Sequence, residues 1–114
     1  MNIPVKPLSQ TASVSGQITP QMVGQLAQAG FASILCFRPD NEGGAAQPTF
    51  AAVEAAAKEA GVAARYIPAV PGQFGPSEVA LTQAALAELP APVLGYCASG
   101  ARATALIEAA ARQR

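Results

Sequence analysis

Four short apolar runs alternate along the chain with longer segments whose apolar residues recur at helical spacing. The runs occupy 12–18, 31–37, 63–70 and 92–97. Their length and their Gly- and Pro-rich flanks are typical of strands. Strands that alternate with helices predict an α/β fold, here a mainly parallel sheet of four to five strands flanked by helices and joined by right-handed connections.

The segments between and after these runs are predicted helices. The first begins with Thr19 as its N-cap and Pro20 behind it, and it ends at Gly30, where a C′ glycine belongs. The second repeats the threonine start and the glycine stop. The four predicted helices span 19–30, 49–61, 79–89 and 101–113.

In an open parallel sheet, ligands bind beyond the carboxyl ends of the strands. Three loops follow those ends and are expected to gather at one edge, namely 38–48, 71–78 and 97–102. A chain of 114 residues provides one hydrophobic core. We therefore predict a single domain over 1–114.

The amino-acid composition limits the kinds of molecule that this chain is expected to bind. Charged residues make up 12% of the chain, and seven basic residues balance seven acidic ones. Without a basic stripe the chain is not expected to bind nucleic acid, and without an apolar run of about 20 residues it is not expected to enter a membrane. The N-terminal segment lacks the layout of a secretion signal, so a cytoplasmic location is expected. Low charge is compatible with a homo-oligomer.

The sequence contains no histidine and two cysteines. This composition excludes histidine acid–base catalysis and the usual zinc ligand sets. We expect no metal, no cofactor and two free thiols in a reducing compartment.

The segment "CASGAR" offers the strongest candidate chemistry, because it joins a predicted strand to a predicted helix. Small residues let the backbone curl so that successive N–H groups point at an anion, and the helix N-terminus adds positive potential. There Cys97 is a candidate nucleophile and Arg102 a candidate two-pronged ligand for an anionic substrate. The alternative is a buried cysteine that only packs. The candidate anion-binding loop comprises Ala98, Ser99, Gly100, Ala101 and Arg102.

Three further residues lie near this loop in the predicted fold. Tyr96 precedes the nucleophile and is interpreted as packing, and Thr104 supplies a hydroxyl in the first helical turn. Cys36 is interpreted as a buried core thiol, with a disulfide to Cys97 as the alternative.

Arg38 and Asp40 follow a buried strand and are expected at the same edge. They form either a structural ion pair or, in the case of Asp40, part of the catalytic apparatus. The sequence leaves both interpretations open.

The stretches "SVSGQITPQMVGQLAQAGF", "RPDNEG", "YIPAV" and "YCASGARATAL" follow one another in the order and spacing of a known family. The chain resembles the phosphatase-like domain of beta-lactamase-hydrolase-like proteins, a relative of dual-specificity phosphatases that is linked with sulfur metabolism. The resemblance implies a small phosphatase-like domain, a pocket lined by 15–17, a small anionic sulfur or phosphate substrate, and a persulfide- or sulfide-oxidising partner enzyme.

Two features bear on which chemistry the resemblance implies. Four residues separate Cys97 from Arg102; phosphatases of this fold have one more, whereas many rhodanese-like sulfurtransferases have four. The loop "PGQFGPSE" also lacks the aspartate with which dual-specificity phosphatases protonate the leaving group, although Asp40 is a candidate replacement. Its one carboxylate, Glu78, is explained equally well by a helix start.

We therefore favour a rhodanese-like sulfurtransferase that forms a Cys97 persulfide from thiosulfate or a low-molecular-weight persulfide. The alternative is a cysteine-dependent phosphatase of dual-specificity type that forms a phosphocysteine. A second alternative is a non-catalytic anion-binding module. It is suggested by Ala98, Ala101 and Ala103, which stand where the family usually has basic or hydroxyl side chains.

Overall fold

A computed structural model describes residues 3–112, and it has a five-stranded sheet at its centre. The strands lie in the order β1-β2-β5-β3-β4; β1 is antiparallel to β2, and the other neighbours are parallel. The predicted fold class is confirmed. In chain order the elements are β1 Lys6–Pro7, β2 Ala12–Ser15, a 3₁₀ turn Pro20–Met22, α1 Val23–Gln28, β3 Ser33–Cys36, α2 Phe50–Glu59, β4 Ala63–Tyr66, α3 Pro76–Glu88, β5 Val93–Tyr96 and α4 Ala101–Arg112.

The element bounds differ from the predicted ones at several ends. The predicted helix 19–30 is a 3₁₀ turn followed by six residues of α1. The prediction placed the start of α3 at residue 79, but α3 begins at Pro76, because proline is well suited to a first helical position. The sequence pattern missed β1, which is only two residues long; its Pro7 is tolerated there because β1 is an edge strand.

The sheet separates two apolar clusters, because successive side chains along a strand point to opposite faces. Leu35, Phe37 and Cys97 belong to the cluster that includes residues of α3 and α4. Cys36 and Tyr96 belong to the other cluster, which includes residues of α1 and α2. Cys36 and Cys97 therefore lie on opposite faces of the sheet.

Gly95 in the central strand lets α4 approach the sheet closely. A Cβ atom at this position would lie 2.9 Å from Cδ1 of Ile107 and 3.1 Å from a ring carbon of Phe37. This close packing holds α4 against the central strand. The short cysteine loop that joins β5 to α4 therefore lies at the carboxyl end of β5.

None of the helices within residues 3–112 has the length and apolar character needed to cross a membrane.

Candidate active site

Cys97 directly follows β5 and is fully buried. The backbone N–H of Gly100 donates a hydrogen bond to its Sγ atom at 3.1 Å. Gly100 has a φ of 96°, a left-handed conformation that favours glycine, and a Cβ there would lie 3.3 Å from the Ser15 carbonyl oxygen. The turn at Gly100 thus points an amide at the sulfur and stabilises negative charge on it.

The loop rests on the residues that follow β2. The N–H of Cys97 donates to the carbonyl of Ser15 at 3.4 Å, and the N–H of Gln17 donates to the carbonyl of Ala98 at 3.3 Å. A Cβ on Gly16 would lie 3.0 Å from the same Ala98 oxygen. The stretch 15–17, which the family resemblance placed at the pocket, therefore supports the cysteine loop through its backbone.

Ser99, Gly100 and Thr104 form the hydrogen bonds at the start of α4. Both the N–H and the hydroxyl of Thr104 donate to the Gly100 carbonyl, at 2.9 and 2.8 Å. The hydroxyl of Ser99 accepts from the N–H of Ala101 at 3.4 Å. Ala98 and Ala101 are exposed, so their contribution to the site is their backbone. Thr104 supports the loop from within the helix.

Arg102 lies in the first turn of α4 and pairs with Glu42. Its Nη1 donates to Oε2 at 2.8 Å and its Nη2 donates to Oε1 at 2.7 Å, while Nη1 also donates to the carbonyl of Ala69 at 2.8 Å. The hydrogen bond with Arg102 lowers the pKa of Glu42, and the same bond raises the pKa of Arg102. A cation near a helix N-terminus is unfavourable because the helix dipole is positive there. The Glu42 carboxylate offsets this unfavourable effect by pairing with Arg102.

Arg38 reaches the same carboxylate from the other side. Its Nε donates to Oε1 of Glu42 at 3.0 Å, and its Nη1 donates to Oε1 of Gln17 at 3.1 Å. The structural ion pair of Arg38 with Asp40, one of the two interpretations that the sequence left open, is not formed, because the guanidinium is engaged by Glu42 and Gln17 instead. Sequence reasoning missed Glu42 although it lies within "RPDNEG", since no local pattern distinguishes it from an exposed loop carboxylate.

Asp40 fixes the start of α2. Its Oδ1 accepts from the N–H of Phe50 at 2.9 Å, and its own N–H donates to the Tyr66 hydroxyl at 2.9 Å. These contacts give Asp40 a structural task, and its part as a proton donor stays a prediction. Glu78 accepts from the N–H of Gly75 at 2.8 Å, which agrees with its interpretation as a helix-start residue.

Cys36 and Tyr96 form a buried pair on the sheet face opposite Cys97. Burial is the main cause that raises the pKa of both groups. The thiol of Cys36 also lies 3.5 Å from the Arg38 carbonyl, to which it donates. Both cysteines are free thiols. A disulfide would need Cβ atoms that approach each other, which opposite faces prevent without backbone movement.

The described part of the chain contains no cluster of three or more His, Cys, Asp or Glu side chains that could hold a metal ion.

The site combines a thiol at the end of a parallel strand, an amide directed at its sulfur and an arginine in the first turn of the next helix. This arrangement is typical of a phosphatase-like α/β domain. The family of beta-lactamase hydrolase-like proteins, phosphatase-like domain, matches residues 5–112. The chain belongs to this family, and the resemblance read from the sequence is confirmed.

Individual relatives agree with this assignment. A beta-lactamase hydrolase-like protein from Xylella fastidiosa is 32% identical over 99 residues, which make up 87% of this chain and 23% of that protein. The chain therefore spans about a quarter of the length of this curated relative. The crystal structure of a candidate phosphatase from Neisseria meningitidis matches with a TM-score of 0.81 and 30% identity, covering 89% of this chain and 71% of the other. A candidate phosphatase from Shewanella putrefaciens shares the fold, with a TM-score of 0.76 and 22% identity over 94% of this chain and 70% of its own.

Proposed function

We propose that this domain hydrolyses phosphate monoesters through Cys97. One observation carries the proposal: the Cys97 sulfur lies 3.1 Å from the Gly100 amide, at the start of the helix that bears Arg102. A nucleophilic thiolate, an inward amide and a fixed cation are what transfer of an anionic group requires. Membership of a phosphatase-like family and the similarity to the Neisseria structure support phosphorus as the atom attacked.

The proposed reaction has two steps. The Cys97 thiolate forms an S–P bond as the P–O bond to the leaving group breaks, and the departing oxygen takes the electron pair and then a proton. Water next attacks the phosphocysteine, which releases inorganic phosphate and restores the thiolate. The loop amides and Arg102 stabilise the charge on the phosphoryl oxygens in both steps.

The burial of Cys97 restricts access to this chemistry. Its side chain has no exposed surface, whereas Ala98, Ser99 and Ala101 in the same loop are exposed. A substrate therefore reaches the sulfur only when the loop or its neighbours move. We expect small substrates and slow turnover, because such opening precedes chemistry.

Sulfur transfer is the second candidate, and the loop length favours it. Only four residues separate Cys97 from Arg102, so the cradle is smaller than in phosphatases of this fold. The thiolate of Cys97 would attack the outer sulfur of thiosulfate, and sulfite would leave with the bonding electron pair. A thiol acceptor would then take the sulfur from the Cys97 persulfide, and no proton donor is needed for either departure. A persulfide- or sulfide-oxidising enzyme is the partner that would supply such a donor.

One experiment separates the two reactions. The protein is incubated with 4-nitrophenyl phosphate or with thiosulfate, quenched in acid and weighed intact, beside Cys97→Ser and the matched control Cys36→Ser. We expect release of nitrophenol and a phosphoryl adduct that Cys97→Ser abolishes and Cys36→Ser retains. A sulfur adduct alone would overturn the phosphatase proposal in favour of sulfur transfer. If no adduct forms but the protein still binds inorganic phosphate, the domain is a non-catalytic anion-binding module.

A further inference from the structure

We infer that Glu42 is a positioning residue, which fixes the guanidinium of Arg102 so that one edge of it is presented to the cysteine loop. The effect that Glu42 is expected to have on the reaction rate rests on the proposed function. The effect that it has on the orientation of the Arg102 side chain is independent of that function.

The geometry of the guanidinium carries the inference. This group has five N–H donors in one plane. Three of them are engaged by Glu42 and Ala69: Nη1 donates twice and Nη2 once. The other two, Nε–H and the second Nη2–H, lie side by side along the remaining edge. Such an edge is the fork that binds two oxygens of one oxyanion.

Cys97 directly follows β5, and Arg102 lies in the first turn of α4, at the other end of the same short loop. The hydrogen bond with Glu42 is the main cause that raises the pKa of Arg102, and the charge of Cys97 is a smaller cause in the same direction. The Arg102 side chain is only 11% exposed, so it is confined by these neighbours. Holding the guanidinium by its far end thus directs the open edge to the place where an anion would meet the nucleophile.

Glu42 is itself held in place by its own loop. Arg38 donates to its Oε1 atom at 3.0 Å. The side chain of Gln47 closes the loop from within, since it accepts from the N–H of Gly43 at 2.7 Å and donates to the carbonyl of Pro39 at 2.9 Å. A carboxylate held on both sides acts as a rigid support for Arg102.

A blocking carboxylate would have the opposite effect. Glu42 would then occupy the position of the substrate anion, and its removal would free Arg102 and speed the reaction. The contacts favour positioning, because Glu42 binds the Nη1–Nη2 end and leaves the Nε–Nη2 edge to an oxyanion.

Kinetics of Glu42→Gln test the inference. Glutamine keeps the size of the side chain, but it has only one oxygen to accept and no charge. We expect kcat/KM for 4-nitrophenyl phosphate to fall about ten- to hundredfold, the scale of loss for a misplaced catalytic group. Glu42→Asp, which retains both oxygens, should lose less. Glu88→Gln is the matched control, because Glu88 forms an ion pair with Arg65 at 2.7 Å on the exposed surface, and it should keep the wild-type rate.

Side-chain NMR and tungstate binding test the positioning without turnover. The two-pronged bond hinders rotation about the Cζ–Nη bonds of Arg102, so its Nη–H signals, assigned by their loss in Arg102→Lys, should be resolved in the wild type and averaged in Glu42→Gln. Tungstate should bind that variant about tenfold or more weakly. A wild type without phosphatase activity would refute the proposed function, and these two measurements would still decide the inference. Unchanged Arg102 signals in Glu42→Gln, or a higher rate or unchanged tungstate affinity, would overturn it.

Discussion

Glu42 and Arg102 are 60 positions apart in the sequence and form a two-pronged ion pair, with nitrogen–oxygen distances of 2.8 and 2.7 Å. The pair joins the loop after β3 to the first turn of α4. It places a carboxylate at one end of the guanidinium that the sequence predicted to bind a substrate anion, and it gives that arginine a fixed orientation.

The Glu42–Arg102 pair is expected to make stability depend on pH on the acid side. Because its pKa is lowered from the ordinary value of 4.5, Glu42 stabilises the fold fully above that value, and the contribution is lost as the pH falls through the lowered pKa. At neutral pH, Glu42→Gln should therefore unfold at lower urea than the wild type. The two midpoints should converge as the pH falls from 4.5 through the lowered pKa.

Urea titrations of both proteins between pH 7 and about pH 3 measure this convergence. Glu88→Gln serves as the control, since surface ion pairs contribute little. A gap between wild type and Glu42→Gln that stays constant over the whole range would contradict the assignment of the pH dependence to this carboxylate.

Gly100→Ala is expected to destabilise the domain by about 1–3 kcal/mol, because a non-glycine residue is strained at positive φ and its Cβ would crowd the Ser15 carbonyl. Gly44→Ala is the matched control: Gly44 has a φ of 86°, and nothing lies within 4 Å of a Cβ there. Urea unfolding of both variants separates the backbone strain, which they share, from the contact that only Gly100→Ala makes. Equal losses in the two variants would show that the contact with Ser15 does not constrain the loop.

Asp40→Asn tests the one candidate proton donor. Asparagine still has an oxygen that accepts from the N–H of Phe50, so we expect the start of α2 and the unfolding midpoint to be retained. Hydrolysis of an aryl phosphate should change little, because a phenolate departs readily. A general acid at this position would reveal itself as a loss of about a hundredfold or more on an alkyl phosphate. Equal rates of wild type and variant on both esters would leave Asp40 with its structural task alone.

The two thiols are expected to differ in reactivity. Burial raises the pKa of Cys36 from its ordinary value of 9.0, so at pH 7.5 this group remains a protonated, unreactive thiol. Cys97 has an amide donor at its sulfur and lies in a loop with exposed neighbours. Iodoacetamide should therefore label Cys97 at least about ten times faster than Cys36 in the folded protein.

Peptide mapping by mass spectrometry after timed quenching gives both labelling rates in one sample. Cys97→Ser should take up label only when urea unfolds it. Equal labelling of the two cysteines in the native protein would refute the distinction between them.

The alternation of strands and helices could be predicted because each element follows from a local pattern. Apolar runs marked four of the five strands, and the caps at Thr49 and Gly61 marked α2 almost to the residue. The two-residue strand β1 could not be predicted, since its formation depends on pairing with β2 and not on its own sequence. The start of α3 was placed too late because the interpretation assigned Pro76 to a loop.

The candidate site was predictable to the extent that it is contiguous. Cys97, Gly100 and Arg102 lie within one stretch of six residues, so their residue types and spacing indicated a nucleophile, a tight turn and an anion ligand. The contribution of 15–17 was visible only as part of a family resemblance. Its physical basis, a backbone support under the loop, required the parallel pairing of β2 with β5.

The sequence by itself determined the α/β class, the position of the cysteine loop and the identity of its thiol and its arginine, because these depend on residues that are neighbours in the chain. Only the tertiary structure decided what Arg102 binds, which face of the sheet each cysteine occupies and what Asp40 caps. Those outcomes depend on strand order, on register and on contacts such as Glu42 with Arg102, which the sheet brings together from distant parts of the chain.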